Sequence, residues 1–374
     1  MSAVNELESF LRPPGLGLYT VSTGAGMAES LLKKIYGGDP RFRGDDKSFR
    51  GDDFVQQKWK LAFRKIKQAK VILLGFPSDN GAGIKRGSNF APLEIRHHLY
   101  QNKKFKTWIQ KNTVVDLGDI LVIPQLLEDE MLSSAQKKKS QIALYGKKTN
   151  LPVSPLSLLE KTANLIFKLN PKAKLMTLGG DHSMSWPLIC AYHAHHSPFS
   201  ILHFDAHTDL LESRLGVDHC YGTWAYHANE KIGKKQRLVQ VGIRASQKPK
   251  KHWESTLDVK QFWAKEILKD PISSMQKILD HLKSLKLKKV YISNDIDGTD
   301  PASAACTGTP EPKGLTPHFV KILIDQVGKN FDVIGADLNE VAPILAAKDP
   351  KEPEKTLRLA AQYTQFMIEA MFKG

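Results

Sequence analysis

The chain has 374 residues, 41% of them hydrophobic and 25% charged, with a formal net charge of +15. Such a chain is globular, with room for one large α/β domain or two smaller ones around a sizeable core. Disordered, collagen-like and disulfide-stapled classes are excluded, and no apolar run approaches the roughly 18 residues of a membrane helix.

The first residues lack a basic, then apolar, then small pattern, so no secretory leader is expected. Three cysteines, Cys190, Cys220 and Cys306, show no CxxC pair. That disfavours a thiolate metal site and fits a reducing cytosol, so a cytoplasmic location is expected. A positive balance admits contact with nucleic acid or a membrane surface. Its distribution points to a solvated face instead: residues 230–289 hold sixteen Lys/Arg against six Asp/Glu, mostly lysines on helix-like segments. No zinc-finger spacing or aromatic–basic RNA motif accompanies them, so no nucleic-acid partner is expected.

Residues 1–68 read unlike the rest. They contain Pro13-Pro14 and a charged, turn-rich duplication in which RFRGDD at 41–46 is nearly repeated as SFRGDD at 48–53. This predicts a poorly defined N-terminal extension with an inserted surface loop. A helix over 56–69 then leads into a catalytic domain spanning 69–374. Short aliphatic runs follow at 71–75, 113–117, 175–178, 200–204, 238–242, 290–293 and 333–336. They are too short for helices and almost continuously apolar, as strands buried on both faces of a parallel sheet are. Amphipathic stretches at 155–169, 274–285 and 317–327 alternate with them. The prediction is an α/β, three-layer α-β-α sandwich with a mainly parallel central sheet.

In such sheets ligands bind beyond the carboxyl ends of the strands. Gly179-Gly180-Asp181-His182-Ser183 follows the run at 175–178, and Asp205-Ala206-His207-Thr208-Asp209 follows 200–204. Asn294-Asp295-Ile296-Asp297 follows 290–293, and Asp337-Leu338-Asn339-Glu340 follows 333–336. One aspartate after a strand is a turn or cap residue; carboxylates and imidazoles after four strands form a cluster. The period-two spacing of Asp205, His207 and Asp209 points all three to one side of an extended backbone, and Asp295 and Asp297 repeat it. With His182 the set holds four carboxylates, which repel unless cations neutralise them. Two divalent ions would do so, and an oxygen-rich set without thiolate favours manganese over zinc.

These residues resemble the ureohydrolase superfamily of arginases, agmatinases and formimidoylglutamases. The likeness runs in order from Val71 to the C-terminus. It includes Gly75-Phe76-Pro77-Ser78-Asp79, Pro92 to Arg96, Asp116-Leu117-Gly118-Asp119, the three metal motifs, Gly308-Thr309-Pro310-Glu311, and Asp337 to Pro343. The resemblance implies two Mn2+ ions per chain. His182, Asp205, Asp209 and Asp295 would hold one, and Asp205, His207, Asp295 and Asp297 the other. It also implies a homo-oligomer and a small cationic guanidino or amidino substrate, cleaved at a C–N bond with release of urea. Paired ions of this kind lower the pKa of a shared water enough for hydrolytic attack near neutral pH. Asp209 is the expected proton carrier to the leaving nitrogen. Glu340 is expected to grip the guanidinium, with Thr309 lining the same pocket. Asp181 is read as support for the ligands, His203 and His227 as structural, and Cys220 as packing.

The segment Val217-Asp218-His219-Cys220-Tyr221-Gly222-Thr223 departs from the His-Gly pair of arginases and agmatinases. Counting forward from Asp209 selects His219 as the proton shuttle; counting back from Gly222-Thr223 selects Tyr221. Histidine is the side chain whose ordinary range spans neutrality, so His219 is preferred. The same departure resembles formimidoylglutamases, which release formamide. Arg214 could pair with a substrate carboxylate and Glu212 with an amine. A non-catalytic family member acting as a binding protein is the reading from another class, and the retained six ligands argue against it.

Overall fold

The computed structural model describes residues 2–18, 24–37, 53–146, 149–345 and 349–373. The duplicated charged loop lies outside the described residues, apart from the backbone of Asp53.

Among the described residues nine strands form one sheet: β1 (Leu11–Arg12), β2 (Val71–Gly75), β3 (Val114–Ile120), β4 (Lys174–Leu178), β5 (Ser200–Phe204), β6 (Leu238–Ile243), β7 (Lys260–Trp263), β8 (Lys289–Asp295) and β9 (Asp332–Asn339). Their order is β1-β3-β2-β4-β9-β8-β5-β6-β7. All pairings are parallel except that of β1 with β3. Alternation along each strand feeds two cores, one per face. Val71, Leu73, Met176, Leu202 and Val239 enter one; Ile72, Leu74, Leu175, Ile201 and Leu238 enter the other. Helices cover both faces, giving the three-layer sandwich. The helix Pro155–Leu169 matches its predicted bounds, with Pro155 in its first turn and Leu159, Ala163 and Ile166 buried at helical spacing.

The expected extension is corrected in part. The helix Ala3–Phe10 buries Leu7 and Phe10, and Leu11 sits in the antiparallel edge strand opposite Ile120. Trp59 and Phe63 of the helix Asp53–Phe63 join the same core, and Trp59 Nε1 donates to the Leu117 carbonyl at 2.9 Å. Scattered apolar residues on short amphipathic helices find the sheet only in the folded chain. Two strands escaped the sequence reading. β1 is two residues long, and β7 reads Lys-Gln-Phe-Trp, with no apolar run, because it pairs only with β6 at the edge.

Candidate metal centre

The site lies beyond the carboxyl ends of β4, β9, β8 and β5, four neighbouring strands at the middle of the sheet. Their register is level: Leu178 pairs with Leu338, Asp295 with Asn339, and Phe204 with Asn294. The residues that follow each strand therefore emerge side by side. After β4 the chain passes so close to a neighbouring loop that a Cβ on Gly180 would lie 1.7 Å from the Ser78 carbonyl oxygen, so only glycine fits. Asp181 then accepts the N–H groups of Ser183 at 2.9 Å and Gly81 at 3.0 Å, which sets His182 in its turn. Asp209 and Glu340 hold φ angles of 51° and 61°, a left-handed backbone uncommon outside glycine and concentrated at functional sites.

Two groups of side chains converge. His182 Nδ1 lies 3.1 Å from Asp295 Oδ2 and 3.5 Å from both Asp205 Oδ2 and Asp209 Oδ2. His207 Nδ1 lies 3.0 Å from Asp297 Oδ2 and 3.5 Å from Asp205 Oδ1. Asp205 thus presents one oxygen to each group. All six side chains named from the sequence meet here, and all but His207 are buried.

Groups behind the site fix its proton positions. Asp337 accepts from Ser293 Oγ at 2.7 Å, from Tyr291 Oη at 2.6 Å and from Asn339 Nδ2 at 2.6 Å. Ser293 has given its one proton to Asp337, so it accepts from His182 Nε2 at 2.8 Å. Nδ1 is then the nitrogen that faces the three carboxylates, and it would offer its lone pair to a metal ion that displaced its proton. A second chain starts at Trp263, whose indole only donates. Trp263 Nε1 donates to Gln261 Oε1, Gln261 Nε2 to Gln240 Oε1, and Gln240 Nε2 to His203 Nδ1, at 2.8, 2.8 and 3.0 Å. His203 Nε2 must then carry the proton, which it gives to Asp205 Oδ2 at 2.7 Å. His203 is close enough to count among the possible ligands, but this tautomer makes it an orienting donor.

Trp224 stacks on His182 with ring centroids 4.6 Å apart, and its Nε1 donates to Asp209 Oδ2 at 3.0 Å. Trp224→Phe keeps the stack and removes the donor. Divalent-metal affinity is expected to fall about 10–100-fold, read by competition with a fluorescent chelator. Unchanged affinity would detach Trp224 from the site.

The electrostatics show what the cluster lacks. Burial, reinforced by Asp205 and Asp297, drives the carboxyls of Asp209 and Asp295 well above the ordinary carboxylate range. Burial opposes charge on the two imidazoles, yet the surrounding carboxylates outweigh it. They hold His182 well above its usual range and push His207 up to about 12. Four carboxylates in a buried space thus draw protons onto two of themselves and onto both imidazoles. Divalent cations would supply that positive charge, and oxygen donors with imidazole suit them. The donor set fits a pair of metal ions.

The remaining predicted residues fall around this core. Glu340 Oε1 accepts the His182 N–H at 2.9 Å, and burial followed by the field of Asp181 pushes its carboxyl up to about 8. Thr309 Oγ1 donates to Asp297 Oδ2 at 3.1 Å, so it steadies that carboxylate from the exposed rim. Arg214 lies over the Tyr221 ring, 5.0 Å from its centroid. His219 is not brought to the cluster. Its Nδ1 faces Glu128 Oε2 at 2.6 Å and its ring stacks on Trp186 at 5.0 Å. Tyr221, two residues on, lines a neighbouring pocket, and burial, opposed by the Arg214 charge, pushes its hydroxyl up. Trp224, Gln240 and Ser293 were missed from sequence. Only Ser293 carried a signal, its period-two spacing from Asp295 along β8.

The fold and the paired clusters define an α/β sandwich with a carboxylate–imidazole centre at the carboxyl ends of its central strands. The chain belongs to the arginase family, whose family model matches residues 69–369. It is 31% identical over 284 residues to a mitochondrial agmatinase of Gallus gallus, covering 72% of this chain and 73% of the relative. It is 31% identical over 283 residues to a mitochondrial guanidino acid hydrolase of Homo sapiens, covering 72% and 70%. The crystal structure of an agmatine ureohydrolase of Thermoplasma volcanium superposes with a TM-score of 0.62 at 25% identity, covering 82% of this chain and 92% of that one. The chain is accordingly a hydrolase of C–N bonds in linear amidines and guanidines.

Proposed function

We propose that this chain is a manganese-dependent ureohydrolase that cleaves a small guanidino or amidino compound and releases urea. The observation that supports it most is the bridging place of Asp205, whose two oxygens face His182 and His207 at 3.5 Å each. His182, Asp205, Asp209 and Asp295 would hold one ion, and Asp205, His207, Asp295 and Asp297 the other. When bound, the pair would supply a water activated for attack near neutral pH and a counter-charge for the transition state.

The chain's own groups do the rest. Glu340, anchored through Oε1 by the His182 N–H, offers its carboxyl to the planar guanidinium. A cationic substrate brings to Glu340 the positive charge that its burial withholds. Asp209, steadied by the Trp224 indole, is placed to carry a proton to the leaving nitrogen. His219 takes no part in this proposal. No helix of the described residues is long and apolar enough to cross a membrane. Cys190, Cys220 and Cys306 are unpaired, which suits the proposed cytoplasmic location.

The test loads the protein with Mn2+, counts metal per chain, and assays arginine, agmatine, 4-guanidinobutanoate, N-formimidoylglutamate and guanidine. Two ions per chain with urea release from a guanidino compound is the expected result. Formamide from N-formimidoylglutamate alone would replace the urea reading. No metal and no turnover would leave a binding protein.

A further inference from the structure

A pocket of about 700 Å³ opens beside the metal centre. Gly81, Cys220 and Tyr221 form part of its wall, and the Gly81 N–H donates to Asp181, next to His182, at 3.0 Å. The pocket is therefore where the part of a substrate remote from the reacting carbon would lie. Its charged lining residues are Arg86, Glu128 and Arg214. Glu128 already faces His219 at 2.6 Å, and the histidine, although opposed by burial, is held above its usual range by this carboxylate. That pair is close to neutral. Neither Arg86 nor Arg214 has a carboxylate partner among the described residues, and both side chains are exposed. Arg214 lies over the face of Tyr221, which steadies the guanidinium while leaving its in-plane N–H groups for a ligand.

We propose that the substrate carries a carboxylate at the end remote from its guanidinium or amidinium group, and that Arg86 and Arg214 bind it. This rests on the ureohydrolase reading above and narrows it to guanidino or amidino acids. A remote ammonium, as in agmatine, would meet two guanidiniums with no free carboxylate to offset them. Arginine would place its α-ammonium in the same field.

The experiment compares 4-guanidinobutanoate, agmatine and arginine with the Mn2+-loaded protein. The acid is expected to show a kcat/KM at least about tenfold above the other two, as for a charge-assisted pair against its repulsive counterpart. Arg214→Gln and Arg86→Gln should each raise KM for the acid about tenfold with a smaller change in kcat, and Arg214→Lys should recover part of it. Arg86→Glu with Arg214→Glu should shift the acid-to-agmatine ratio toward agmatine. A wild-type preference for agmatine or arginine, or a ratio unmoved by the double reversal, overturns the proposal. Calorimetric binding of the acid and of agmatine keeps the two readings apart. Absence of turnover with tight, arginine-dependent binding of the acid sinks the ureohydrolase reading and retains the carboxylate site. Absence of a binding preference sinks the site itself.

Discussion

Asp205→Asn is expected to abolish turnover, by more than about a thousandfold, and to lower the metal content below two ions per chain. Asp205 is fully buried and receives two hydrogen bonds, from His203 Nε2 at 2.7 Å on Oδ2 and from the His207 N–H at 2.6 Å on Oδ1. Both of its oxygens therefore need to be acceptors. Asparagine has one acceptor oxygen, and its NH2 would press against one of those two donors. Burial works against the Asp205 charge, but His203, His182 and His207 overcome it and hold the carboxyl well below its ordinary range. It stays ionised while Asp209 and Asp295 are pushed to take up protons, so its loss removes the negative charge common to both halves of the cluster. Metal analysis and urea release on the same sample check this. A variant that keeps a tenth of the activity with full metal content would contradict the shared-ligand arrangement.

Arg96→Met is expected to destabilise the fold by about 3–5 kcal/mol, the usual result of removing one partner of a buried ion pair. Arg96 is fully buried between two carboxylates. Its Nε and Nη2 donate to Asp116 at 2.9 and 3.0 Å, and its Nη1 donates to Asp119. Asp116 also accepts from Tyr100 Oη at 3.2 Å, and Asp119 from the Gly15 N–H at 2.7 Å. Methionine fills much of the volume but strands both charges. Burial raises the Asp119 carboxyl even with Arg96 in place, so the ionised group depends on its cation. Domains have only about 5–15 kcal/mol in total, so the loss is a large share. Chemical denaturation measures it. Adding Asp116→Asn and Asp119→Asn should recover part of the loss, because the stranded charges go with the cation. A loss under about 1 kcal/mol would mean the carboxylates are already neutral.

The two results separate the layers of the protein. The triad of Arg96, Asp116 and Asp119 lies away from the metal cluster and ties the N-terminal segment to the sheet. Asp119 pairs with Arg12 across β1 and β3 and also holds the Gly15 N–H. That bond joins residues 104 positions apart. It explains why a stretch with no strand-like pattern of its own belongs to the core.

Seven of the nine strands were legible in the sequence, because strands buried on both faces must be nearly continuous in apolar residues. The edge strands were not, since an edge has one neighbour and tolerates polar side chains. The six cluster residues were legible because carboxylates and imidazoles at the carboxyl end of one parallel strand after another have no structural purpose that turns and caps would serve. The extended backbone expected from their period-two spacing is not what aims them: residues 205–209 lie outside any strand, Asp209 holds a φ of 51°, and Asp297 sits in the short 3-10 helix Ile296–Gly298. His219 shows the limit of that reasoning. Counting along the chain cannot see that Glu128, 91 positions away, holds the His219 ring.

From residue types and spacing alone came the parallel sheet, the positions of the clustered carboxylates and imidazoles along the chain, and the excess negative charge they bring together, because these depend on local geometry and on charge that must be neutralised wherever it is buried. Only the folded chain decided which nitrogen of His182 faces the carboxylates, that His203 donates rather than ligates, and which cations line the pocket. Those depend on hydrogen bonds and fields between residues tens to hundreds of positions apart, where Trp263, Asp337 and Arg86 act through space and leave no periodic trace.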